Sequence, residues 1–279
     1  MSENQKGCSP SDCQGCAHAG TCNSKPQDFH KPANAKSHIR NVIAVVSGKG
    51  GVGKSMVTAS LARMMREQGF SVGILDADIT GPSIPKAFGA EDTPKGNAQN
   101  EIYPVETKTG IEIMSTNLLL QNETDPVLWR GPVLGGAIQQ FWTDVVWGDI
   151  DVMFVDMPPG TGDVALTVYQ QLPVDGIVIV TSPQQLVEMI VEKAVNMADM
   201  MSIPVLGLVE NMSYFKCPDC GAEHHIFGES HVKEAAERHH IPRVYQLPID
   251  SALADACDRG EIENYTCEPM DKLAEELTR

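Results

Sequence analysis

Two groups of residues in this 279-residue chain have the types and spacing that chemistry needs. The first is Gly48-Lys49-Gly50-Gly51-Val52-Gly53-Lys54-Ser55, which fits G-x-x-x-x-G-K-[ST], the P-loop. Its glycines let the backbone curl so that successive N–H groups point inward at phosphate oxygens. A helix beginning there adds its positive N-terminal end. Lys54 is placed to reach the β- and γ-phosphates of a nucleotide, and the Ser55 hydroxyl to bind Mg²⁺. Such a site also needs carboxylates, and two apolar runs end in them: Asp76-Ala77-Asp78 after Val72–Leu75, and Asp156 after Val152–Val155. Asp156 is the candidate Walker-B ligand of Mg²⁺, and Asp78 the candidate for orienting the attacking water and a further candidate ligand of the Mg²⁺. Taken singly, each acid has the alternative role of a helix N-cap.

The second group is sulfur. Cys217-Pro218-Asp219-Cys220-Gly221 is a CxxC whose proline and glycine hold it as a turn. Two thiolates make half a metal site. The other half must come from the tail cysteines, from Cys257 and Cys267, or from a second copy of the chain, and either zinc or an iron–sulfur cluster suits the set. The tail reads Cys8-x4-Cys13-x2-Cys16-x5-Cys22, four cysteines in a segment with almost no large apolar residue. That spacing is tighter than a zinc finger's and resembles ferredoxin-like loops; zinc and free thiols are the alternatives. Cys257 sits among Ala252, Leu253 and Ala256, the setting of a buried helix residue. His224-His225 and His239-His240 read as solvated.

Positioning these groups requires elements that alternate. Val42–Val46, Val72–Leu75, Val152–Val155, Gly176–Val180, Val205–Val209 and Val244–Leu247 are short apolar runs of strand length. Met56–Gln68 carries Val57, Leu61 and Met64 at helical spacing, with Gly69 to close it. Leu134–Val146, Gln184–Met201 and Asp271–Leu277 are further helices, and Ile102–Val105 with Ile111–Met114 forms a candidate hairpin around Thr109-Gly110. Buried strands alternating with helices imply an α/β fold, a mostly parallel sheet covered on both faces, with ligands at the carboxyl ends of the strands. The CxxC falls in a loop after a strand ending near Glu210. Residues 1–38 form a cysteine-rich tail, joined through Lys31-Pro32-Ala33-Asn34 to one nucleotide-binding domain over residues 39–279.

Composition narrows the partners. The formal charge is −16, from 21 basic and 37 acidic residues, which argues against a general nucleic-acid binder. No apolar run approaches the ~20 residues of a membrane helix, and residues 1–38 lack the apolar core of a signal peptide. The expectation is a soluble, cytoplasmic protein with no nucleic-acid or membrane partner. Clustered cysteines in a reducing compartment favour metal or redox chemistry over disulfides.

Lys49, five residues before Lys54, completes K-G-G-x-G-K-[ST]. This motif is similar to the deviant Walker A of the MinD and ParA ATPases and of the nitrogenase iron protein. That resemblance implies a homodimer in which Lys49 reaches the partner's nucleotide. From about Asn41 to Asp258 the chain resembles more specifically the Mrp/ApbC family of iron–sulfur cluster carrier ATPases, related to the eukaryotic cytosolic scaffold ATPases. The resemblance rests on Gly48–Ser55, on Asp76-Ala77-Asp78-Ile79-Thr80-Gly81-Pro82-Ser83, on Arg130-Gly131-Pro132 and on Asp156–Asp163. It also rests on Glu210-Asn211-Met212-Ser213 ahead of the CxxC. It implies that Asn211 reads the adenine edge and that Cys217 and Cys220 hold a [4Fe–4S] cluster bridging two subunits. It further implies that ATP and Mg²⁺ drive delivery of a cluster to apo-proteins. Cys13-x2-Cys16-x5-Cys22 is similar to the eukaryotic tail motif, from which the closely spaced Cys8 departs. Two rival readings stand beside it: a MinD- or ParA-like positioning ATPase, and a zinc-stabilised regulatory NTPase.

Overall fold

The β-branched run Val42–Val46 forms the interior of β1 (His38–Ser47), whose last six residues are all buried. The structure, a computed structural model, describes residues 29–78, 83–98, 101–119, 131–160, 162–183, 187–266 and 268–277. Cys8, Cys13, Cys16, Cys22, the stretch Ile79-Thr80-Gly81-Pro82, Arg130, Thr161 and Cys267 lie outside these residues. After β1 come α1 (Lys54–Glu67), β2 (Val72–Asp76) and α2 (Ser83–Phe88). The short strands β3 (Lys95–Gly96), β4 (Ile102–Tyr103) and β5 (Val105–Glu106) follow, then β6 (Glu112–Ser115). The chain continues through α3 (Gly131–Thr143), β7 (Asp149–Asp156), α4 (Asp163–Gln171), β8 (Gly176–Thr181), α5 (Val187–Met200) and β9 (Val205–Lys216). It ends with β10 (Glu223–His224), α6 (Val232–Arg238), β11 (Val244–Pro248), α7 (Ser251–Asp258) and α8 (Glu268–Leu277).

Nine strands form one sheet in the order β10-β9-β8-β1-β7-β2-β6-β5, with β11 pairing β9. Every pairing in it is parallel except β5 with β6 and β10 with β9. Apolar side chains fill both faces. Ile138 and Phe141 of α3, Val168 of α4, Val191 of α5 and Val232 of α6 pack on one side. Val57 and Leu61 of α1, Ile84 of α2, Leu253 of α7 and Leu273 of α8 pack on the other. Covering both faces is what lets the central strands be apolar throughout.

The spacing in α1 behaves as its periodicity requires, with Val57, Leu61, Met64 and Met65 buried. Gly69, at φ 93°, closes the helix: its N–H bonds the Arg66 carbonyl and the Phe70 N–H bonds that of Met65. Three expectations are corrected. The CxxC strand does not end near Glu210 but runs to Lys216, because β10 pairs with its last residues. Ile102–Tyr103 pairs antiparallel with Lys95–Gly96, and only Val105–Glu106 forms the hairpin with β6. The helix expected over Leu134–Val146 spans Gly131–Thr143, and Val145 instead bridges to Ile102. Lys31–Asn34, read as a linker, lies against the body. The Lys31 N–H donates to the Gln171 carbonyl and its own carbonyl accepts from the Trp142 indole, each at 2.8 Å.

Candidate nucleotide site and cysteine turn

The loop between β1 and α1 lies at the carboxyl end of the central strand. Gly51 and Gly53 take φ of 77° and 83°, conformations that a side chain resists. A Cβ on Gly50 or Gly51 would meet nothing within 4 Å, so the loop's inner surface is open backbone. Ser47, Gly50, Gly51, Lys54, Ser55 and Asp78 are among the residues lining a cleft of about 360 Å³ there. Gly48 packs the other way, so close to Ile190 of α5 that a Cβ would lie 2.2 Å from its Cγ2.

Lys54 is the electrostatic centre. Its side chain is 5% exposed, with Nζ 2.8 Å from Asp156 Oδ2, 3.3 Å from Asp78 Oδ2 and 3.2 Å from Ser55 Oγ. Burial pulls its pKa down, but the carboxylates of Asp156 and Asp78 outweigh that and hold it above the ordinary lysine value. Asp156 is fully buried and accepts from the Ser55 hydroxyl at 2.5 Å and the Thr58 hydroxyl at 2.7 Å. Asp76 lies directly across from Asp156 in the sheet. Burial, then the Asp156 charge, pushes the Asp76 pKa well above its usual value, against hydrogen bonds from Ser115 and from the Asp78 N–H. Two adjacent strand ends therefore present three carboxyl groups to one ammonium. That excess of acid, offered as hydroxyl and carboxylate oxygens, fits a hard dication such as Mg²⁺. Ser55 and Asp156 are the residues that would hold it.

The other expected nucleotide residues divide. Lys49 is half-buried beside Gly48 and Gly50, and burial lowers its pKa; it is not among the described residues lining the cleft that Lys54 faces. Asn211 is 6% exposed and braces the loop from behind: its Nδ2 donates to the Val52 carbonyl at 3.0 Å and its Oδ1 accepts from the Met212 N–H at 2.9 Å. A Cβ on Gly53 would lie 2.3 Å from Asn211 Nδ2, so this glycine is also required by packing. Thr58 and Asp76 were missed as site residues. Asp76 was legible as an acid at a strand end; Thr58, one helical turn after Lys54, carried no signal beyond that spacing.

The CxxC occupies the turn between β9 and β10. The Cys217 N–H donates to the Ala222 carbonyl and the Gly221 N–H to the Cys217 carbonyl, each at 2.9 Å, with Gly221 at φ 72°. Backbone N–H groups of Cys220 and Asp219, then the Cys220 thiol, lower the Cys217 pKa, favouring the thiolate that binds metal. Cys220 is exposed and Cys217 half-exposed. Among the described residues, no third His, Cys, Asp or Glu side chain is grouped with Cys217 and Cys220 to hold a metal. Cys257 is a partly buried residue of α7 packed on the α1 side of the sheet, and burial raises its pKa to about 11. His224 and His225 are exposed, as expected. Among the described residues, no helix is long and apolar enough to cross a membrane.

The parallel sheet, the phosphate-ready loop and the carboxylates behind it define a P-loop NTPase with a second lysine in its loop. The chain belongs to the NUBPL iron-transfer P-loop NTPase family of the ParA group, whose model matches residues 38–279. It is 42% identical over 270 residues to an iron–sulfur cluster carrier protein of Clostridium perfringens, covering 92% of this chain and 95% of that one. It is 40% identical over 246 residues to the iron–sulfur cluster transfer protein NUBPL of Dictyostelium discoideum, covering 88% and 75%. Among solved structures it is similar to a nucleotide-binding protein from Archaeoglobus fulgidus in complex with ADP. That match has TM-score 0.75 and 44% identity, and covers 83% of this chain and 90% of that one. The cell-division ATPase MinD of Pyrococcus furiosus, at 20% identity and TM-score 0.57 over 85% of this chain and 98% of its own, shares the fold.

Proposed function

We propose that this protein is an ATP-dependent carrier that assembles a [4Fe–4S] cluster and transfers it to apo-proteins. The observation that carries the proposal is the conjunction, in one chain of this family, of the Lys54 site with an exposed two-cysteine turn whose Cys217 is biased toward thiolate. The relatives' names as cluster carriers support it.

ATP binds with its phosphates on the backbone N–H groups of Gly50 to Gly53 and on Lys54. Ser55 and Asp156 hold Mg²⁺, which shields phosphate charge. Asp78 orients water for attack on the γ-phosphorus; the bond to the bridging oxygen breaks, giving ADP and phosphate. Lys49 acts on the nucleotide of a second copy, while Asn211, expected to contact the adenine, has its amide engaged with the Val52 carbonyl and the Met212 N–H and braces the phosphate loop instead. Hydrolysis is slow and coupled to cluster release.

The cluster is cargo. Cys217 and Cys220 from each of two copies supply its four thiolates, a reading supported by the lack, among the described residues, of a third His, Cys, Asp or Glu grouped with this pair. The segment ahead of Lys31 acts as a ligand-bearing tail, with Cys8, Cys13, Cys16 and Cys22 holding a further cluster. The protein works in the reducing cytoplasm, where such thiols persist.

The test is transfer. Reconstituted protein is mixed anaerobically with an apo hydro-lyase that needs [4Fe–4S], and the hydro-lyase activity is followed with and without Mg·ATP. Activation that depends on Cys217 and Cys220 and changes with ATP is expected. Failure to activate, with the cluster retained, would refute the carrier reading.

A further inference from the structure

The nucleotide loop and the cysteine turn touch the same strand. Between Glu210 and Tyr214, β9 spends four residue steps where β11 spends two, since Gln246 pairs with Glu210 and Pro248 with Tyr214. The surplus is a bulge at Asn211–Ser213. Its central residue, Met212, has φ 57°, a left-handed conformation that a side chain disfavours. Such a residue persists only when its surroundings over-determine it.

The bulge is held from both faces of the sheet. On the α1 side, Asn211 grips the Val52 carbonyl of the P-loop and the N–H of Met212. On the other side, the Ser213 hydroxyl donates to Glu210 Oε2 at 2.6 Å. Gln246 Nε2 reaches the same carboxylate oxygen at 3.0 Å and the Ser213 oxygen at 2.9 Å. Glu210 is fully buried and Ser213 is 1% exposed; the second carboxylate oxygen, Oε1, has no hydrogen-bond partner. Beyond the bulge the same strand leads directly to Cys217, and the Ser213 carbonyl lies 3.2 Å from Nδ1 of His225, on the return arm of the hairpin. Both arms of the turn that carries the thiols thus connect to Ser213.

We propose that the Asn211–Ser213 bulge is the mechanical link that transmits nucleotide occupancy of the P-loop to the CxxC turn. Phosphate draws the loop's N–H groups inward and moves the Val52 carbonyl. Asn211 follows that carbonyl, and the strained Met212 gives way by rotating the peptide that precedes Ser213. The Glu210–Ser213–Gln246 contacts register that rotation, and the hairpin beyond them re-aims the thiols. Met212, Ser213 and Gln246 are therefore positioning residues. This inference rests on the reading of Gly48–Ser55 as a nucleotide site.

The test uses the full chain, reduced and free of cluster. Iodoacetamide labelling rates at Cys217 and Cys220 are read by peptide mass spectrometry, with and without Mg²⁺ and a non-hydrolysable ATP analogue. Protein concentration is kept where sedimentation gives the same mass in both conditions. Nucleotide affinity is measured in parallel. The wild type should change its labelling rate at Cys217 and Cys220 by about fivefold, the low end of ordinary coupling between sites, with Cys257 unchanged. Met212→Gly and Ser213→Ala should bind nucleotide within about twofold of wild type and lose most of that response. Full response in both variants would overturn the proposal. Nucleotide binding without any response in the wild type would overturn it while leaving the ATPase reading intact. Absence of nucleotide binding would overturn both.

Discussion

Replacing Lys54 by alanine should destabilise the protein even without nucleotide. Nζ lies 2.8 Å from Asp156 and 3.3 Å from Asp78, with side-chain exposures of 5%, 0% and 11% for the three residues. Removing one partner of a buried ion pair costs about 3–5 kcal/mol, because the remaining charge is left uncompensated. Ser55 and Thr58 still donate to Asp156, so the low end applies, about 3 kcal/mol at neutral pH. For a domain of this size that lowers Tm by roughly 6–12 °C. The pH dependence carries the sign. In the wild type the folded Lys54 pKa is raised, so its contribution is complete below the ordinary lysine value and is lost as pH rises through the raised one. In the variant carboxylate charge is stranded in the interior without its ammonium, and acid neutralises it. The deficit relative to wild type should therefore shrink as pH falls from neutral toward 5. Calorimetry of both proteins across that range is the assay. A Tm within about 2 °C of wild type at neutral pH, or a deficit independent of pH, would refute the assignment of Lys54 as the neutraliser of the two acids.

Thr58→Val removes a hydroxyl that bonds the buried Asp156 at 2.7 Å. It should cost about 1.5–3 kcal/mol in urea unfolding and slow ATP hydrolysis, and equal stability would contradict the site geometry. Gly53→Ala forces a Cβ onto Asn211 at a φ of 83° and should abolish nucleotide binding measured by equilibrium dialysis; retained binding would mean that the loop does not need this conformation. Glu112, partly exposed, has its pKa raised to about 7 by burial and by Glu106, its cross-strand partner. Its folded pKa exceeds its unfolded one, so stability should fall as pH rises from about 4.5 to 7 and then level off. The loss, discounted for its exposure, is about 1–2 kcal/mol. Glu112→Gln should flatten that slope in pH-dependent urea melts, and an unchanged slope would assign it elsewhere.

The parts of the fold that could be read in advance are those where local chemistry and tertiary role coincide. Val42–Val46 is β-branched because it is buried on both faces, and Gly69 sits where only a left-handed residue closes α1. The P-loop was legible because its backbone curl and its lysine are both written as residue types. The helix α2 was missed, since Pro85 sits inside its first turn and its burial comes from packing on α1 and α7. The short α6 was also missed, as were the extension of β9 to Lys216 and its pairing with β10. That pairing is non-local, and the left-handed residue on its path, Met212, is neither a glycine nor an asparagine. Asn211 was named from the family resemblance as an adenine contact; its grip on Val52 depends on β9 lying behind the loop, which no local pattern encodes.

The most direct test of the carrier assignment is anaerobic reconstitution with iron and sulfide, quantified chemically and by Mössbauer spectroscopy. It is run on the full chain and on the Cys217→Ser/Cys220→Ser variant, with sedimentation of both. The expected result is a [4Fe–4S] spectrum that falls by about half a cluster per chain in the variant, together with loss of cluster-dependent dimer mass. Bound zinc with no iron–sulfur spectrum, or a cluster content unchanged by the two substitutions, would contradict it.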